Sequence, residues 1–556
     1  MMRLVFAAAL AALFPGLGAQ DVSKGEAQSA PKHLICGGDD ATAPRPMLLE
    51  GYGVGGFPIT TKVAAAQAFF DNGMQLGTAF AHKASIAAMK EAVRQDASCA
   101  MCAWGEAYVS GPTLNYPVDA AAVAKLAVLT SRAEQLAASA GTKRERALIA
   151  ALKLRYVAPR GGDRATDDRA YARAMDALAR AYPADDVIHT LAADAWLVAA
   201  DERGAPGSGE RAMPLLETVL ARSPDYTPAI HFYIHASEFA GVPSRATRYA
   251  DTLGTLAPKA AHLVHMPSHT YYWIGRYQAA ADANARAVLI GFDNAKRLGM
   301  SLPDGIWDLP YHAHNVHFGV GGAMMSGDAK TALLLSDPLV RVAAKRDKGP
   351  LFAQFVAGMA YSAQGRFADP EAVMALPEPK LPYMRAYWRY ARGEAQARLG
   401  NAAGVRTEAA AIPWTVDPKA KDEMAVVGTR LARVARLVLT GRAAMLDNRP
   451  RAALAAYRQA AKLQEHKAVT RFADPPLWWY PVRRSVAETL LASGRPRAAL
   501  REIDTALAGR PHDPIALGVR ARAQQALGNR PAASRDAKAA LAGWRGERRA
   551  FSSALS

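Results

Sequence analysis

Histidines at 231, 235, 262, 265, 269, 312, 314 and 317 place eight of the chain's 13 imidazoles within 87 residues, where an even scatter would leave about two. His231 and His235 are spaced i, i+4, so on a helix both rings share one face about a turn apart. His265 and His269 repeat the pair 34 residues later, and an H-x-H at His312 and His314 is followed by His317. Imidazoles from neighbouring helices can meet on one ion at about 2.0–2.1 Å. All-imidazole ligation suits copper, zinc, iron or nickel and disfavours calcium or magnesium. With this many donors two ions fit better than one, and a dinuclear polyhistidine arrangement points to copper ahead of zinc or iron. His82, in AFAHKA, falls near the start of another helix and is a further candidate ligand.

Such donors must be carried by helices. Ala/Leu/Arg-rich segments with apolar residues at i, i+3, i+4 dominate, and strand signals are scarce, so the class is all-α. Turn phrases recur at one period: Gly241 precedes Gly275 by 34 residues, Pro224 precedes Pro258 by 34, and Gly494 precedes Gly528 by 34. That is the length of the tetratricopeptide (TPR) repeat, a helical hairpin that stacks into an α-solenoid, a right-handed superhelix. Counted from the turn glycines, His231 and His265 share one repeat position and His235 and His269 another, with His317 in phase. These positions line the concave groove of such arrays, so the histidines are expected on an exposed inner surface that core packing does not need. The loop at 301–310 precedes YHAHNVHF, and Trp307 and Tyr311 would roof the groove there. Glu106, Glu238 and Asn315 are polar groups placed to orient ligands. One array is expected over 60–340 and a second over 350–545, forming one continuous superhelix. His33, His189, His466 and His512 read as structural or surface residues.

The N-terminus has a short basic start, an apolar stretch and a small-residue exit, which predicts a signal peptide over 1–19, cleaved after Ala19, followed by an arm over 20–58. An exported, periplasmic protein is the expectation, with no later transmembrane span. In an oxidising compartment Cys36, Cys99 and Cys102 predict one disulfide, and a bond from Cys36 to Cys99 or Cys102 would pin the arm. The net charge of +18 does not mark a nucleic-acid binder. Between Asp225 and Asp308 seven basic residues balance seven acidic ones, and the excess lies in an Arg-rich C-terminal face. No Walker loop, dinucleotide fingerprint or G-x-S-x-G elbow is present.

The phrases FAHKA (80–84), CAMCAWGEAY (99–108), YIHASE (233–238), HLVHMPSH (262–269), YHAHNVHF (311–318) and WWYPVR (478–483) resemble a widespread family of bacterial exported TPR proteins. Ala81 departs from the asparagine often found there in similar proteins, which sets His82 apart from the other candidate ligands. The resemblance implies the repeat fold and flags the histidines, and carries no reaction. The leading expectation is a copper-binding metalloprotein, an oxidoreductase by its chemistry. One alternative is a TPR scaffold whose groove grips a peptide or protein. Another is a zinc-dependent hydrolase with Glu238 or Glu106 as general base.

Overall fold

The computed structural model describes residues 46–156, 164–199, 206–309, 311–349, 351–417, 422–470 and 475–547. Among them every regular element is helical. The predicted leader, Cys36 and His33 lie outside the described residues.

Two compact units divide the chain. The first runs to Thr270 and takes in 290–301; the second takes 271–289 and the chain from 302 onward. In the first unit the helices are α1 (Ala64–Thr78), α2 (His82–Gln95), α3 (Ala100–Val109), α4 (Ala120–Ala140), α5 (Lys143–Lys153), α6 (Arg164–Ala181), α7 (Asp186–Val198), α8 (Ser208–Arg222), α9 (Thr227–Phe239), α10 (Thr247–Leu256) and α11 (Ala261–His265). Two helices, α12 (Pro267–Trp273) and α13 (Tyr277–Arg297), carry the chain across the division. The second unit continues with α14 (His312–Ser326), α15 (Ala329–Lys345), α16 (Leu351–Phe367), α17 (Pro370–Met374), α18 (Pro382–Arg398), α19 (Ala402–Ala411) and α20 (Glu423–Leu446). It ends with α21 (Pro450–Gln464), α22 (Lys467–Thr470), α23 (Arg483–Ala492), α24 (Pro496–Gly509), α25 (Pro514–Ala526) and α26 (Arg530–Gly543).

Successive helices pack as antiparallel hairpins, α1 on α2, α7 on α8, α20 on α21 and α25 on α26 among them. The 34-residue period survives in the helix starts, since α9 and α11 begin at 227 and 261, and α24 and α26 at 496 and 530. The fold is therefore an all-α array of TPR-type hairpins.

The turn glycines work as their spacing predicts. At the end of α9, Gly241 takes the left-handed conformation, its N–H donates to the Glu238 carbonyl, and Val242 N–H donates to Ser237. This is the paired bonding that ends a helix in a Schellman motif. Gly275 closes α12 in the same way, with φ +78°. There a side chain would also collide, because a Cβ would lie 2.3 Å from Cβ of His512.

One helix end breaks the glycine pattern. After α1, Ala81 N–H bonds the Leu76 carbonyl and Phe80 N–H bonds Gly77, so Phe80 occupies the left-handed position with φ +56°. An L-residue there costs about 1–2 kcal/mol. The segment before α1 fastens this region to later hairpins. Val54 N–H donates to Thr227 Oγ1 at 2.9 Å, and Thr60 donates its N–H and its hydroxyl to Glu145 at 2.7 Å each. The arm thus ties α1 to α5 and α9, and α1 and α9 are neighbours.

Candidate metal centre

The α1–α9 neighbourhood brings two chemistries together. The last carbonyls of a helix have no intrahelical partner, and the Thr78 carbonyl accepts from Nδ1 of His231 at 2.6 Å. That fixes the proton on Nδ1 and leaves Nε2 as the lone-pair nitrogen. His231 Nε2 faces His262 Nε2 at 3.1 Å. A donor atom from each of His231, His235 and His262 lies within 4.8 Å of the other two, and all three residues are buried.

A second pair adjoins them. His265 Nε2 and His269 Nε2 are 3.0 Å apart, and Nδ1 of His269 donates to Glu238 Oε2 at 2.9 Å. Glu238 and His269 form a further close group with His235. The rings follow one another closely, with centroids 5.1 Å apart for His231 and His235, 5.5 Å for His262 and His265, and 5.2 Å for His235 and His269. Nitrogens about 3 Å apart match roughly the edge of a coordination shell with 2.0–2.1 Å bonds. His235 Nε2 is buried with no hydrogen-bond partner among the described residues.

Phe80 is the ring around which these side chains are arranged. It stacks on His262 at 4.8 Å, meets His231 edge-on at 4.5 Å and lies 5.1 Å from His82. His82 opens α2, as its sequence position predicts, and faces Tyr116 at 5.6 Å. Neither Phe80 nor the Thr78 carbonyl was legible as part of the site. The phrase FAHKA contains Phe80, but its left-handed backbone has no sequence signal in a residue that is neither Gly nor Asn.

Two expectations are corrected. The histidines were expected on an exposed groove, yet His231 and His265 are fully buried and His235, His262 and His269 are no more than 5% exposed. Phe80 and the neighbouring rings fill the space that a bare repeat would leave open. The His265/His269 pair was expected on one continuous helix face like His231/His235. Pro267, which lacks an N–H, splits that segment into α11 and α12, and the two rings still converge across the break.

Burial also sets the proton affinities. Desolvation pushes His231 down to about 3, against the opposing Thr78 hydrogen bond, and pushes His82 down to about 4. His235 is held well below its ordinary value by burial and by the imidazoles of His231, His269 and His265. These rings are neutral at pH 7 and keep their lone pairs.

His312, His314 and His317 belong to the second unit, on α14, and all three are buried. Trp307 packs edge-on against His312 at 4.7 Å, and His314 meets Phe318 at 5.0 Å. Tyr311 immediately precedes α14 in a left-handed conformation with φ +70°. Both ring nitrogens of His317 and Oδ1 of Asn315 are buried without a hydrogen-bond partner among the described residues. Burial pushes His317 to about 3 and His312 to about 4.

Of the remaining expected residues, Glu106 lies on α3, where burial raises its affinity for a proton and the charges of Lys90 and Arg132 oppose this. It belongs to neither histidine group. Cys99 and Cys102 are bonded to each other at the start of α3, both buried. A bond from Cys36 to either is therefore replaced by this short one, because the first turn of a helix brings residues three apart together. His189 is structural as expected, its Nδ1 meeting the Asp185 carbonyl at 2.9 Å.

An all-α TPR-type repeat protein with buried polyhistidine groups is the class that fold and site define. No protein-family model matches the chain, and no curated protein matches it. Solved structures similar to it include a human IFIT1 dimer with m7Gppp-AAAA, at 12% identity over 80% of this chain and 90% of that one, with a TM-score of 0.32. The TPR domain of P58(IPK) is similar at 15% identity, over 67% of this chain and 96% of that one, with a TM-score of 0.20. Naa15/Naa10 bound to HypK-THB is similar at 12% identity, over 88% and 90%, with a TM-score of 0.23.

Proposed function

We propose that the chain is an exported TPR-repeat metalloprotein that binds a transition metal, copper in first place, through its buried histidines. One observation carries this reading: the imidazoles meet Nε2 to Nε2, at 3.1 and 3.0 Å, while Nδ1 of His231 and of His269 is committed to an acceptor. Metal-ligating histidines characteristically donate their other N–H to a carbonyl or carboxylate in this way. His231, His235 and His262 would hold one ion, and the His265/His269 pair supports a second. Neutral imidazole donors bind Cu²⁺ most strongly among the divalent first-row metals, which supports copper over zinc or iron. A bound copper would supply one-electron redox chemistry. Glu238 orients His269, and the apolar wall of Phe80 keeps water from the rings.

Burial argues against the peptide-gripping alternative, since side chains this enclosed offer no surface to a peptide. Engagement of Glu238 with His269 argues against its use as a free general base for zinc hydrolysis. The leader-like N-terminus supports export, and among the described residues no helix is long and apolar enough to cross a membrane. The test is metal retention by untagged protein and its reduction in a His265→Ala/His269→Ala double variant.

A further inference from the structure

The second unit holds a cavity of about 270 Å³, walled by Trp273, Leu477, Trp478, Trp479 and Tyr480 together with charged side chains. The charges do not balance. Arg483 and Glu465 both line it, but Arg483 binds both oxygens of Glu465, at 2.5 and 2.9 Å, and also Glu502 at 2.6 Å. Arg510, on the same wall, stacks over Trp273 at 4.4 Å and donates Nη1 to the Gly509 carbonyl at 2.7 Å, but it has no carboxylate partner among the described residues.

Behind the wall the imbalance grows. Trp479 carries two guanidinium groups, Arg366 at 4.3 Å and Arg484 at 5.0 Å from its ring centre. Arg484 is buried and paired with both oxygens of Asp513 at 3.2 Å. That carboxylate also accepts the N–H groups of Ile515 and Ala516 at the start of α25. Arg366 has no such partner among the described residues, and its Nη1 is shielded from solvent without a hydrogen bond. Its own burial, and then the charge of Arg484, lower its hold on its proton, to about 9. Trp478, 2% exposed and on the cavity wall, has a buried Nε1 with no acceptor among the described residues.

Unmatched cations and an unmatched N–H donor around an aromatic cavity call for an acceptor-only ligand with an apolar body. We propose that this cavity binds a small organic monocarboxylate, its carboxylate received by Arg510 and its apolar part lying on Trp478 and Trp479. The volume, just below the usual range for ligand pockets, suits a molecule of roughly ten heavy atoms rather than a peptide segment. Arg366 adds attraction across the Trp479 ring without touching the ligand.

Isothermal titration calorimetry of the full chain with 3-phenylpropionate, 3-phenylpropionamide and inorganic phosphate tests this. The carboxylate should bind and quench tryptophan fluorescence, with the amide and phosphate at least tenfold weaker. Arg510→Gln should weaken carboxylate binding at least tenfold, and Arg366→Gln several-fold, with circular dichroism confirming that each variant is folded. No carboxylate binding to the wild type at millimolar concentration would overturn the proposal, as would equal binding of the amide. Tighter binding of phosphate would overturn the carboxylate assignment. Because none of these arms involves the histidines, the result is independent of metal content.

Discussion

At His269 the bond from Nδ1–H to Glu238 leaves Nε2 to face His265, so the carboxylate decides which nitrogen can act as a ligand. Glu238→Gln removes the negative charge while keeping an acceptor. Loss of such an orienting carboxylate typically costs 10–100-fold in metal affinity, and that range is expected here with helix content unchanged. Competition titration with a chelator measures it, and unchanged affinity would separate Glu238 from the site. Phe80 poses an opposite balance of strain against contact. Phe80→Gly relieves about 1–2 kcal/mol of left-handed strain but deletes a buried aromatic ring, a loss of about 3–5 kcal/mol. The variant should be less stable by about 1–4 kcal/mol in denaturant melts. A more stable variant would show that the ring contacts with His231 and His262 contribute little.

Among the helices, the turns were the most legible feature. Gly241, Gly275, Gly494 and Gly528 announce helix ends because only a residue without Cβ takes φ near +70° to +80° freely, and each does so. Gly275→Ala adds a clash with His512 to that strain and should cost more than about 1 kcal/mol. A thermal melt reads this directly, and a melt equal to that of the wild type would mean the turn can shift. The histidine pairs were legible from their i, i+4 spacing and repeat phase. Their burial was not, because it depends on Phe80, fixed by a Schellman turn that glycine would ordinarily make. The Pro267 break within HLVHMPSH was visible as a proline, yet a helix-face argument treats four residues as one turn and misses it. The charge imbalance around Trp479 could not be derived from spacing, since it rests on which side chains the hairpins bring together.

Across the whole molecule, the depressed histidines make stability depend on pH. Without metal, His231 and His317 are at about 3 in the folded protein, against 6.5 for a free imidazole. Below pH 6.5 the unfolded chain takes up protons that the folded chain refuses. Stability is therefore full above 6.5 and falls as pH drops toward 3, by about 1.4 kcal/mol per pH unit for each such group. Denaturant melts of metal-free protein at pH 7.5 and pH 5 should differ by several kcal/mol, and equal midpoints would contradict the burial of these rings. Added metal should oppose the loss, because an ion that binds only the folded state stabilises it by mass action. The most direct test of the central claim is elemental analysis of untagged protein after equilibration with copper, zinc, iron and nickel in turn. Copper should be retained at one ion per chain or more, and the His265→Ala/His269→Ala variant should retain less of it with helix content intact. Retention of none of the four metals above background would contradict the metalloprotein account.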